Sequence, residues 1–97
     1  MANYIQGDTV KLSATFYDWT GGLHNLTGVA LKIYNASGVQ VGETIDGADI
    51  VNGSTGYYYH LYTLPLTYSS LIYEFSGTDD DGKVQLHRTK LGPIFAD

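Results

Sequence analysis

No cysteine occurs in the chain, so neither disulfides nor a thiolate metal site can supply stability. Strong helix formers are sparse, and methionine and tryptophan each occur once. Only 15% of the 97 residues are charged, too few to keep a chain with 43% apolar residues unfolded. The fold must rest on packing and backbone pairing. A chain of this length encloses one hydrophobic core, so residues 1–97 are expected to form a single domain.

Basic residues number five against ten acidic ones, for a net charge of −5. Such a surface repels a phosphate backbone, and no lysine or arginine stripe counters it. Nucleic acid and anionic membranes are therefore not expected as partners. The first twenty residues, MANYIQGDTVKLSATFYDWT, hold no basic segment followed by an apolar run, so no secretory leader is expected. No stretch is long and apolar enough to span a bilayer as a helix.

Against these absences stand nine tyrosines and many Thr, Val and Ile residues, which favour pleated surfaces. From Thr9 to Tyr17, Val10, Leu12, Ala14 and Phe16 alternate with polar residues, the signature of a half-buried strand. Asp18-Trp19-Thr20-Gly21-Gly22 breaks the pattern as a turn, and Leu23 to Gly28 reads as a loop. Val29, Leu31 and Ile33 give a second strand closed by Asn35-Ala36-Ser37-Gly38, with Val39 to Ile45 as its expected antiparallel partner.

Asp46-Gly47 and Asn52-Gly53 are turn signals around a brief strand at Ile50 and Val51. Gly56 opens a tyrosine-rich strand that ends at Pro65. Leu71 to Ser76 and Val84 to Leu91 form the next pair across Asp79-Asp80-Asp81-Gly82, and residues 92–97 offer a last edge. Short strands at regular spacing, each followed by a turn, predict an all-β antiparallel sandwich of about seven strands.

The run Gly7-Asp8-Thr9-Val10-Lys11-Leu12-Ser13-Ala14-Thr15-Phe16-Tyr17-Asp18, followed by Val29 to Gly38, resembles bacterial and phage immunoglobulin-like modules. Thr55 to Tyr59 and Tyr73 to Thr78 are similar to their last strands. The resemblance implies an Ig-like sandwich. Its short stand-alone members are virion or tail-associated components, and its longer ones are spacers or adhesin domains. It carries no catalytic residues and no cofactor. It therefore implies a non-enzymatic structural or accessory protein of a bacteriophage particle (head, neck or tail), assembled in the host cytoplasm. The alternative is an extracellular carbohydrate-binding or adhesion module.

Candidate chemistry in the residues themselves is thin. His24, His60 and His87 lack the spacing of a shared metal site. Asp79, Asp80 and Asp81 are the weak candidates for a calcium site, but no EF-hand spacing accompanies them, and three aspartates suit a solvated hairpin tip. Asp46 and Asp49 are weaker still. No nucleophile elbow, phosphate-cradling loop or dinucleotide fingerprint is present, so no catalytic site is expected. Asn25, Asn35 and Asn52 begin sequons that loops of this composition produce by chance.

The remaining signal is aromatic. With Val10, Leu12, Leu31, Ile33, Tyr59, Leu61, Tyr73 and Phe75 assigned to the core, Tyr17, Trp19, Tyr34, Tyr58, His60 and Tyr62 are expected to point outward as a binding surface. Aromatic pairs also stabilise wet sheets as plain cross-strand neighbours. As a surface, the rings suit other virion or assembly proteins, a homo-oligomer, or stacking on glycans.

Overall fold

The computed structural model describes residues 4–95. Met1 to Asn3, together with Ala96 and Asp97 of the expected last edge, lie outside the described residues. The strands are β1 (Tyr4–Ile5), β2 (Thr9–Thr15), β3 (Thr27–Asn35), β4 (Ile45–Asp46), β5 (Val51–Ser54), β6 (Tyr57–Thr63), β7 (Leu71–Thr78), β8 (Val84–Leu91) and β9 (Ile94–Phe95). One 3₁₀ turn, Gly47–Asp49, is the only helical element among the described residues.

Two antiparallel sheets face each other. One has the order β2-β6-β5, the other β4-β3-β7-β8, and β1 pairs parallel with β9 at the border. Counting β2 as the second strand of an immunoglobulin-type sandwich, these are the B-E-D and C′-C-F-G positions of that fold. The expected all-β sandwich is the observed architecture.

Alternation places the core where the sequence put most of it. Leu12, Ala14 and Phe16 from the first sheet meet Leu31, Ile33, Leu71 and Phe75 from the second, all buried. Tyr73 ties the layers by donating its hydroxyl to the Ser13 carbonyl at 3.2 Å. Leu91 and Ile94 close one end of this core, and Leu26 lies at the other.

Residues Val39 to Ile45 pair less fully than their composition suggests. Tyr34 bridges Gln40, then the chain bows away and rejoins β3 only at Ile45 and Asp46. Gly42 lies within the bow, in the left-handed conformation with φ 73°, which no other residue type adopts as cheaply. The bow opens a hollow of about 390 Å³ lined by Ile33, Val41, Ile45, Asp49 and Tyr62.

Candidate functional site

The tyrosine strand β6 carries the main correction. Its register against β2 pairs Ala14 with Tyr58, Leu12 with His60 and Val10 with Tyr62. Directly opposed residues share a face, so these three side chains point inward with the β2 core set. Tyr58 is buried, not outward, and its ring meets Phe16 edge-on at 6.1 Å. His60 is half-buried and donates from Nδ1 to the Asp49 carbonyl at 2.7 Å. Tyr62 is half-buried against the core, and burial, with Tyr68 adding to it, raises its phenol above the ordinary value.

Tyr57, Tyr59 and Leu61 therefore form the outer face of this sheet, opposite Thr15, Ser13 and Lys11. Leu61, expected in the core, is 60% exposed. The Tyr57 and Tyr59 rings lie 5.8 Å apart, with Lys11 Nζ 4.3 Å from the Tyr59 centroid and 5.6 Å from that of Tyr57. Both rings lean over Gly53, where an added Cβ would come within 2.9 Å of Tyr57. Val51, opposite Tyr59 and also exposed, extends the patch. The result is a tyrosine, leucine and valine surface with one lysine.

The other expected surface residues separate. Tyr17 and Trp19 stand in the β2–β3 loop at one end of the sandwich, 54% and 88% exposed. Asp18 organises that loop: its Oδ1 accepts from Thr20 N, Thr20 Oγ1 and Gly22 N within 3.0 Å. The Thr20 hydroxyl bond and the Gly22 amide bond hold its carboxyl below the usual value. Across a cleft of about 210 Å³ sits the β7–β8 hairpin tip with Asp79, Asp80 and Asp81. His24 Nε2 reaches Asp80 at 3.5 Å, joining the two loops.

Asp79 builds the hairpin turn. Its Oδ1 accepts from Asp81 N and Lys83 N and its Oδ2 from Gln85 Nε2, and its carboxyl is held low by the Lys83 amide first. Among the described residues no group of three or more His, Asp or Glu side chains is arranged to hold a metal ion. His87 faces inward, with Nε2 3.1 Å from Thr89 Oγ1 and its ring edge-on to Phe16 at 6.4 Å.

The sequon asparagines are likewise committed to backbone. Asn25 Oδ1 accepts from Gly56 N, Asn35 Oδ1 from Ser37 N and Val39 N, and Asn52 Nδ2 donates to the Ser54 and Tyr57 carbonyls.

Tyr34 lies on the outer face of the four-stranded sheet. Opposed rows there read Tyr34-Ile72-Lys90 and Lys32-Glu74-Arg88. Glu74 is buried although it faces outward, because Arg88 folds over it with Nε 3.0 Å from Oε2 and Nη2 on the same oxygen. The Arg88 guanidinium also lies 5.7 Å from the Tyr34 ring centroid. These two side chains, with Ile72 and Gly38, line a notch of about 130 Å³. Lys32, Arg88 and Lys90 make this face basic on an acidic molecule.

No protein-family model, curated protein or solved structure matches the chain. Among the described residues no helix is long and apolar enough to cross a membrane. Free sheet edges are poor docking sites: β2 carries Lys11, β8 carries Arg88 and Lys90, and β4 and β5 are short, all features that discourage strand addition. What the arrangement offers is rigid faces. A tyrosine-leucine patch covers one sheet, a basic notch marks the other, and an acidic, tryptophan-bearing loop pair caps one end.

Proposed function

We propose that the protein is a non-enzymatic structural or accessory component of a bacteriophage particle, acting by protein–protein contact through an Ig-like sandwich. The observation that carries this reading is the outer face of β2-β6-β5. Tyr57, Tyr59, Leu61 and Val51 are held there on a paired sheet without a single carboxylate among them. Tyrosine and leucine on a rigid support bury large area at small entropic cost, which is how interface cores are built. The phage setting rests on the resemblance of residues 7–18 and 29–38, which supply most of β2 and β3.

Two measurements test this reading. Mass spectrometry of purified particles from the phage carrying the gene should find the chain in fixed stoichiometry with the other structural proteins. A Tyr59→Ser/Leu61→Ser variant, both positions being at the surface, should fold normally and be lost from the particle. Recovery of wild-type chain only from the soluble fraction of the lysate overturns the reading.

A second reading, a glycan-binding or adhesion module, is favoured by Trp19 alone. This ring is 88% exposed beside the Asp18 and Asp80 carboxylates, the pairing of a stacking plane with hydroxyl acceptors that sugars require. Retardation of the wild type but not of Trp19→Ala on polysaccharide gels would favour it over the particle reading.

A further inference from the structure

We propose that copies of this chain associate head to tail, the acidic loop end of one docking on the basic sheet face of the next, with Trp19 entering the Tyr34–Ile72–Arg88 notch.

The two surfaces complement each other in charge. The loop end carries Asp18, Asp79, Asp80 and Asp81 against Lys83, with His24 already engaged by Asp80. The outer face of β4-β3-β7-β8 carries Lys32, Arg88 and Lys90, three of the five basic residues of the chain. They stand against Glu74, which Arg88 covers, and Asp46 at the far corner on β4. Outside this face and the loop tip, only Lys11 remains as a cation. An acidic partner docking by charge therefore has one favourable place to go.

Shape complements charge. Trp19 projects at a turn tip that its own fold does not cover, which leaves the whole indole free to be received by a partner surface. The notch presents what an indole accepts: the Tyr34 ring, the Ile72 side chain, the Arg88 guanidinium plane and, at Gly38, a wall with no side chain. Among aromatic faces tryptophan receives a cation best, and arginine is the cation found there most often.

One molecule cannot satisfy both halves itself. The loop end adjoins the Thr78–Val84 row, whereas the notch lies at the Ile72–Lys90 row six residues along the same strands. At a rise of about 3.4 Å per residue the separation is about 20 Å, along a molecule 43 Å in its longest dimension. Different patches on each copy make the contact heterologous, so it propagates as a ring or a filament and does not stop at a dimer.

The proposal shares with the particle reading only the premise that the chain works by protein contact, and it uses different residues. Native mass spectrometry and sedimentation velocity test it with two variants. Trp19→Ala removes the knob and keeps the notch. Ile72→Glu places a carboxylate in the notch, beside Lys90, and keeps the knob.

Wild type should grow past a dimer with rising concentration and dissociate as salt screens the charges, since screening acts within about 10 Å at 0.1 M. Each variant alone should keep the wild-type melting temperature, bind itself roughly tenfold or more weakly, and run as a monomer. Their equimolar mixture should form heterodimers and go no further, because one intact knob and one intact notch remain. Wild type that stays monomeric at low salt, variants that oligomerise like wild type, or a mixture without heterodimer overturns the proposal. A monomer that still enters the particle would remove this contact and leave the particle reading standing.

Discussion

The Tyr58 hydroxyl and the Leu26 backbone satisfy each other inside the sandwich: the oxygen accepts from Leu26 N at 3.0 Å and donates to Leu26 O at 3.3 Å. Both residues are buried, and the contact joins β6 to the segment that enters β3. It anchors the inward phase of the tyrosine strand. The phenol tip, which would be a liability in an apolar core, instead satisfies both polar groups of a loop residue.

Removing that oxygen should cost more than removing its neighbour's. Tyr58→Phe leaves a buried N–H and C=O without their partner, worth about 1–3 kcal/mol, or a melting shift of about 4–8 °C per kcal/mol. Tyr59→Phe, on the outer face, should stay within about 0.5 kcal/mol of wild type. Urea titration of both variants checks the order, and the reverse order would place Tyr59 inside.

The sequence revealed some faces and hid others for identifiable reasons. Val10, Leu12, Ala14 and Phe16 alternate with polar residues, so only one phase buries apolar groups and β2 reads correctly. In Tyr57-Tyr58-Tyr59-His60-Leu61-Tyr62 every position is amphipathic except Leu61, and that one aliphatic residue points to the wrong phase. Register against β2 decides instead, and register is a long-range property. The meeting of Trp19 and His24 with Asp79–Asp81 was equally hidden, since about 60 positions of chain separate the loops and only the sandwich topology joins them. Glu74 reads as an ordinary outward residue until Arg88, its cross-strand neighbour, covers it.

That covering makes the pair asymmetric. Arg88→Ala strips the counter-charge from a carboxylate that is 9% exposed, while the arginine itself is 62% exposed. The expected loss is about 1–3 kcal/mol, below the range for fully buried pairs because water reaches one side. Replacing both residues by Leu should cost less than Arg88→Ala alone. Thermal unfolding of the two variants beside the wild type measures the difference.

Gly56 and Gly82 separate conformational strain from steric contact. Both are left-handed, with φ 75° and 78°. A Cβ at Gly56 would lie 2.6 Å from the Phe16 carbonyl oxygen and 3.0 Å from His24 N, whereas at Gly82 nothing lies within 4 Å. Gly82→Ala should lose about 1 kcal/mol from backbone strain. Gly56→Ala should lose at least about 2 kcal/mol more, because rigid backbone must move. Equilibrium unfolding of both checks this.

Acid should loosen the loop end first. The Asp18 and Asp79 carboxyls are held below their ordinary value of 3.8, by the Thr20 side chain and the Lys83 amide respectively. A carboxyl whose pKa is lower folded than unfolded adds stability that is fully present above the unfolded value and is lost as pH falls through the folded one. The loss therefore falls below pH 3.8, and none is expected from these groups above pH 5. Amide NMR titration should show the Thr20, Gly22, Asp81 and Lys83 signals moving together in that window. Asp79→Asn should abolish the transition at the Asp81 and Lys83 amides and leave that at Thr20 and Gly22.

Hydroxyl-radical footprinting of the chain, free and in the assembled particle, tests most directly whether the outer face of β6 is the working surface. The free protein should react at Tyr57, Tyr59 and Leu61 and be protected at Tyr58, and the particle should protect the first three as well. Reaction at Tyr58 in the free protein, or Tyr57, Tyr59 and Leu61 as reactive in the particle as outside it, would contradict the account.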